Sequence, residues 1–345
     1  MTQRTMTWGG SFMNVRKLAR ADTREDSGNT LVLTGVFLAF FFVMSVLSPK
    51  IFLSMGTMRS LFVQLPEFGI YAFAMMLAML TGGIDLSIVS AGNLASIIAS
   101  NYMIWRMSQS QVPGQLQIVL TGLLIALAVG AFCGALNGIS VAVVGIPPML
   151  ATLASMQMFN GVSMILTQGS SVQGLPELFS QIGAKTVADI IPITMLAFLV
   201  IAVILHYILD YTALGFKIYM FGSNSVAAEY SGINNTAVVI LTYTIGGLLS
   251  AIAGIIVTSR AMSAKMDYGS IYQLQAILAV VLGGISPSGG KGKVWGVVLA
   301  VMSLQVLSTG LNILNLSASS YLKNLVWGLL LLAVLTLKFF IRKKA

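Results

Sequence analysis

The sequence predicts an all-α polytopic membrane protein with about ten transmembrane helices, and three observations carry that expectation. The first is composition: of 345 residues, 57 % are hydrophobic and only 8 % are charged. With a mean hydropathy of +0.91, so much apolar surface does not fit a water-soluble core of ordinary shape. The second is length: the apolar runs recur at about the 20 residues that a helix needs to cross a bilayer. The third is the absence of the short alternating segments, each of about ten residues, that mark a membrane β-barrel. Lipid offers no partner to bare backbone groups, so the spans are expected to be helices.

Taken in order, the spans are expected at roughly 31–48, 61–81, 86–105, 117–140, 148–167, 189–209, 236–258, 270–285, 294–312 and 321–340. Three of them are less apolar. Ala91-Gly92-Asn93 lowers the third, Gln157 with Asn160 the fifth, and Gln273 with Gln275 the eighth. Polar and small side chains in a span usually face other helices, so these three are placed in the bundle interior. Helix–helix contact alone would account for such residues equally well.

Positive charge gives an orientation. Arg4, Arg16, Lys17, Arg20 and Arg24 precede the first span, and Arg342, Lys343 and Lys344 follow the last. Cytoplasmic segments favour Lys and Arg, so both termini are expected in the cytoplasm, with an even number of spans. The chain then divides into a cytoplasmic tail (1–30), a membrane domain (31–340) and a basic C-terminus (341–345). The membrane domain includes a long cytoplasmic connection at about 211–235. About thirty polar and charged residues precede the first apolar run, so no cleaved signal peptide is expected. The net charge of +9 reads as an orientation signal and a match to anionic inner-leaflet lipid, not as a nucleic-acid surface.

Several function classes are excluded. Cys133 is the only cysteine and His206 the only histidine, so neither an internal disulfide nor a Cys/His metal site can form. Both are expected to be packing residues. One histidine and ten acids, six of them in tails or loops, assemble no nucleophile–base–acid set. Ser288-Gly289-Gly290-Lys291-Gly292-Lys293 suggests a phosphate cradle but lacks the glycine spacing and Gly-Lys-Ser/Thr end of a P-loop. A tight turn with two orienting lysines is expected instead, and no nucleotide hydrolysis by this chain.

Three polar breaks remain. Thr81-Gly82-Gly83-Ile84-Asp85-Leu86-Ser87 separates two apolar runs, and Leu282-Gly283-Gly284-Ile285-Ser286-Pro287-Ser288-Gly289-Gly290 does the same late in the chain. Between them lies Gly222–Ile233. The paired glycines are expected to end spans and admit close packing or irregular backbone. Asp85 is expected to cap the helix that follows it, where a carboxylate suits exposed amides. An ion-driven carrier would hold ionisable residues deep in its spans. Here the spans read as nearly free of them, with Asp85, Asp189 and Asp210 at predicted ends. Energy must then come from outside the bundle. The 211–235 segment is the one internal cytoplasmic connection long enough to be a handle, with Ala227-Ala228 on Ser225–Ser231 offering a flat surface to a partner.

These pieces together resemble the permease subunits of simple-sugar (ribose/xylose/arabinose/galactose-type) ABC importers. The resemblance rests on Thr81–Ser87, on Leu136-Asn137-Gly138 followed by Gly145–Leu153, and on Gly222–Ile233. Val281-Leu282-Gly283-Gly284 with Ser288-Gly289-Gly290, then Gly310-Leu311-Asn312, completes it. It covers roughly residues 35–340. It implies the permease fold of the sugar and branched-chain amino acid type, in the bacterial cytoplasmic membrane. It also implies a second permease subunit, a cytoplasmic ATPase (often tandem-domain) that uses ATP and Mg, and a periplasmic or surface sugar-binding protein. No cofactor is expected on this chain. The coupling contact would involve Asn224, Ser225, Ala227, Ala228, Ser231, Gly232 and Ile233, with Gly82, Gly83, Asp85, Ser87, Gly283 and Gly284 as structural motif. A neutral, hydroxyl-rich cargo calls for amides and hydroxyls along its path, and Asn93, Asn101, Thr152, Gln157 and Asn160 are the candidates. Two alternatives stay open: an ABC permease for nucleosides or branched-chain amino acids, and an ion-coupled secondary carrier.

Overall fold

The computed structural model describes residues 33–35, 37–109, 114–187, 191–313, 325–333 and 336. The expected tail at 1–30, the basic C-terminus at 341–345 and Asp189 lie outside them. The described chain is almost wholly helical. An apolar helix, α1 (Leu33–Leu47), leads through a short turn, α2 (Pro49–Phe52), into the long α3 (Met55–Leu80). There follow α4 (Ile88–Met107), α5 (Gln115–Ala142), α6 (Pro148–Thr167), the short α7 (Glu177–Ala184) and α8 (Ile193–Tyr211). Two small helices, α9 (Ala213–Ser223) and α10 (Ser225–Tyr230), precede α11 (Asn235–Ala261), α12 (Ser270–Leu282) and α13 (Val294–Ile313). Residues 325–333 are helical and fall within the expected tenth span.

Six of these, α3, α5, α6, α8, α11 and α13, are long and apolar enough to cross a membrane. Each expected span overlaps a helix among the described residues. Two differ from a plain crossing for physical reasons. The 20-residue α4 has the length, but Ser90, Asn93, Ser96 and Ser100 are buried along it. The 13-residue α12 is about 20 Å long and cannot cross a core of about 30 Å by itself. Residues 262–269, which include the two-residue strand Ser263–Ala264, form the non-helical connection between α11 and α12.

The bundle is built around α3, which is buried continuously from Leu65 to Leu80 and packs on α8, α11, α12 and α13. A second layer forms where α11 lies against α5 and α4, with α6 outside α4. Small residues let those backbones meet. Gly130, Gly134 and Gly138 repeat at every fourth position of α5, and a Cβ on any of them would run into α11 at Gly247, Tyr243 or Ile240. Two strand pairs tie the connections. β1 (Val172–Gln173) runs antiparallel to β4 (Ser263–Ala264), and β2 (Thr186–Val187) to β3 (Ile191–Pro192). Cys133 is buried against Ala91, Leu94 and Phe159, as a packing residue should be. His206 pairs with Asp210 at 3.1 Å and lies edge-on to Tyr211 and Trp295.

Candidate functional site

At one end of the bundle, α3 and α12 finish in the same way. Gly82, at φ +78°, donates its N–H to Met79 O (2.9 Å), and Gly83 donates to Ala78 O (3.0 Å). Gly284, at φ +93°, donates to Val281 O (3.2 Å), and Ile285 to Val280 O (3.2 Å). Both are Schellman closures, which need a left-handed residue just past the helix and thereby satisfy the last carbonyls. The partner glycine of each pair serves a different end. A Cβ on Gly83 would strike the Tyr243 hydroxyl, and one on Gly283 would strike the backbone of Val297. One glycine of each pair therefore turns the chain and the other admits a neighbour.

The two breaks meet. Gly290 N–H donates to Leu80 O at 3.0 Å, and Gly222 sits so close to both that a Cβ there would collide with them. The end of α3, the 286–293 turn and α9 form one junction, with the Tyr219 hydroxyl donating to Gly292 O (2.8 Å). Beside it, Asp85 is buried and its Oδ1 accepts from the amide (2.8 Å) and the hydroxyl (2.7 Å) of Ser87, the residue that opens α4. Asn137 Nδ2 donates to Ser87 Oγ at 2.7 Å. Thr152 accepts from Leu86 N–H (3.1 Å) while its hydroxyl lies 3.0 Å from Ile84 O and 2.9 Å from Pro148 O. The segments Thr81–Ser87, Leu136–Gly138 and Gly145–Leu153, distant in sequence, are thus one hydrogen-bonded unit.

The handle segment leaves this junction. Asn224 Oδ1 accepts from Ala227 N–H at 3.0 Å and starts α10. Gly232 donates to Glu229 O (2.9 Å) and Ile233 to Ala228 O (3.1 Å), which repeats the closure of α3 and α12. Asn235 Nδ2 donates to Ser225 O (2.8 Å), and the Ser231 hydroxyl to Ala227 O (2.8 Å). The two alanines do not share one surface. Ala228 is fully buried and, with Ile233, fastens α10 to the bundle, while Ala227 is exposed. Val226 at 60 % and Tyr230 at 90 % exposure, four residues apart and so on one helical face, project outward instead. Sequence reasoning did not single out Val226 or Tyr230.

The five path candidates separate. Thr152 is buried in the motif unit described above. Asn93 is buried, and its Nδ2 donates to Met266 O (2.8 Å) and Tyr268 O (2.9 Å), so it holds the irregular segment before α12. Asn101 and Asn160 are half-buried, and Gln157 is exposed on α6.

The reading that ionisable residues avoid the span interiors is corrected by Glu67. It lies inside α3 with no exposed surface, and both its oxygens meet Arg260 at the end of α11: Nε to Oε1, and Nη2 to Oε2 at 3.0 Å. The Tyr272 hydroxyl of α12 donates to the same Oε2 at 2.9 Å. A buried carboxylate persists in a membrane helix when it is paired, and here a guanidinium and a phenol pair it. The signal was present in the sequence as a lone acid six residues into an apolar run.

A family model described as branched-chain amino acid transport system, permease component, matches residues 57–335. The chain is 34 % identical over 337 residues to a ribose import permease protein of Bacillus subtilis (strain 168), covering 96 % of this chain and 100 % of that one. It is 36 % identical over 299 residues to the ribose import permease protein of Escherichia coli (strain K12), covering 85 % and 88 %. A D-allose transport system permease protein of the same strain is 29 % identical over 318 residues, covering 92 % and 93 %. With its helical, multi-pass structure and a match along most of its length, the chain belongs to the permease components of ABC importers of the branched-chain amino acid and simple-sugar type.

Proposed function

We propose that this chain forms the translocation path of an ATP-driven importer for a neutral simple sugar. A cytoplasmic ATPase carries the ATP and Mg and works the bundle through α10. A sugar-binding protein delivers the cargo to the opposite face, and a second permease completes the path. The termini and the glycine junction face the cytoplasm, as the basic ends of the sequence favour.

The observation that carries the coupling role is the build of α10. A six-residue helix is fixed at both ends by side-chain and glycine caps and seated on the bundle by Ala228 and Ile233. It turns Val226 and Tyr230 to the outside. A force applied to that face reaches α3 and α12 through Gly222, Leu80 and Gly290, all in backbone contact. Nucleotide binding can shift the bundle between forms when the ATPase grips the two forms with different affinity. The domain limits follow the same reading: 1–30 tail, 31–340 membrane domain with 211–235 as coupling segment, and 341–345 basic end. The ribose and D-allose named for its relatives support a sugar cargo. Glu67 does not favour an ion-driven carrier, because Arg260 neutralises it within the fold.

The test is uptake by proteoliposomes holding the permease with its partner ATPase and binding protein. Radiolabelled D-ribose and D-allose should accumulate only with ATP inside the cytoplasmic compartment and binding protein on the other side. Accumulation by the permease alone on a sodium or proton gradient would falsify the proposal.

A further inference from the structure

The Glu67–Arg260–Tyr272 cluster lies where the bundle is discontinuous. Glu67 is about 20 Å along α3 from its Leu80 end. The short α12 begins beside Glu67, which Tyr272 of its first turn reaches, after the non-helical residues 262–269. Irregular backbone at that depth survives only inside protein or along a water-filled cavity. Residues 262–269 are held by protein on one side and open on the other. Asn93 satisfies the carbonyls of Met266 and Tyr268 on one side, while Lys265 and Asp267, paired at 3.0 Å, are 39 % and 52 % exposed on the other.

Arg260 borders the same segment. Its side chain is 42 % exposed although the carboxylate that holds it is fully buried. Glu67 takes Nε and one side of Nη2, which leaves the Nη1 edge of the guanidinium without a partner among the described residues. The result is a rigid pair of hydrogen-bond donors, fixed from behind and open in front, with no net charge. Such a group suits a neutral polyol better than an ion. Two parallel N–H donors match adjacent hydroxyls, and the neutralised pair sets no electrostatic trap that would slow release. An acidic protein surface would gain less from it, because Glu67 already cancels the charge.

We propose that Arg260 is a cargo contact, donating hydrogen bonds to sugar hydroxyls as they pass the discontinuity, and that Glu67 and Tyr272 are the positioning residues that aim it. This rests on the importer reading above and adds to it the place and chemistry of one contact.

The test uses the complete complex of permease, ATPase and binding protein in proteoliposomes, with D-ribose and its 2-, 3- and 5-deoxy analogues as probes. The variants are Arg260→Gln, the double variant Glu67→Gln/Arg260→Gln, and Tyr272→Phe. The double variant removes both charges at once, so it leaves no unpaired buried ion and keeps the fold. It is expected at normal amounts in the membrane, yet with ribose uptake lowered about fivefold, the loss of one or two hydrogen bonds. The preference for ribose over at least one deoxy analogue should shrink by a similar factor. The binding protein is common to all variants, so its own discrimination cancels. Tyr272→Phe should show the same change in smaller measure.

Full uptake in the double variant would mean that the pair only holds helices together, and would overturn the proposal. So would a lowered uptake with every deoxy preference intact, or a defect that disappears at saturating binding protein, the mark of a docking contact. If the unaltered complex carries no sugar, the importer reading falls and this one with it. If it does and the variants match it, this one falls alone.

Discussion

Asp85 shows what one carboxylate does at the glycine junction. Its Oδ1 is the acceptor for both the amide and the hydroxyl of Ser87, and Ser87 in turn accepts from Asn137. Asp85→Ala leaves two buried donors without an acceptor and is expected to cost about 1–3 kcal/mol. Asp85→Asn keeps an oxygen in place and should cost clearly less. Thermal unfolding of the detergent-solubilised permease, followed by gel-filtration recovery, separates the two. Equal losses would show that the charge itself, not the acceptor, holds the junction. Thr152→Val is the companion case on the facing helix. It removes the acceptor of Leu86 N–H at nearly constant volume, and a loss of about 1–3 kcal/mol is expected by the same logic. Asn93 and Thr152 were both read in the sequence as cargo contacts. Their amide and hydroxyl are engaged with backbone of other elements, a use that residue type alone does not distinguish from binding a sugar.

Among the elements, α10 carries the sharpest contrast. Its stop was legible in the sequence because it is local, with Gly232 just past the last turn, whereas Asn224, read only as a coupling contact, proves to cap its start. Which alanine faces the bundle was not legible. Neighbours on a helix point about 100° apart, and only the packing of α10 decides that Ala228 turns in and Ala227 out. The Glu67–Arg260 pair escaped for a related reason. Its members lie 193 residues apart, so no local pattern joins them. The spans themselves were legible because hydropathy acts over each segment alone, and the bounds of α6 and α13 came within a residue. The consequence for α10 is a split between seat and contact. Ala228→Leu should unseat the helix and lower both stability and uptake, since Ala228 is fully buried and a larger side chain there overpacks the contact. Tyr230→Ala should leave thermal unfolding unchanged, because 90 % of that side chain is exposed, and yet uncouple ATP hydrolysis from uptake. ATPase rate and uptake measured in one preparation decide the matter. A Tyr230→Ala complex that transports normally would move the contact elsewhere on the segment.

For the whole molecule, exposed apolar surface is required by lipid and does not by itself locate a second permease. The face of α6 differs from the rest. Besides Leu150, Leu153 and Met158 it exposes Gln157, and Gly161 has no atom near the place its Cβ would occupy. A mid-helix glycine costs about 1 kcal/mol relative to alanine and gives lipid nothing in return. Small residues in spans are useful where another backbone comes close, and an exposed amide is useful where protein or water replaces lipid. By contrast the outer face of α8 shows Leu199, Val200, Val203 and Ile204, an unbroken apolar surface suited to lipid. For a homodimer, the second permease should therefore abut α6 and not α8. In a Cys133→Ala background, Gly161→Cys is expected to form an oxidant-driven disulfide between two chains in native membranes, and Val200→Cys is not. The arrangement is refuted if Val200→Cys cross-links while Gly161→Cys only reacts with a lipid-partitioning maleimide, since α8 would then lie at the interface and α6 in the bilayer.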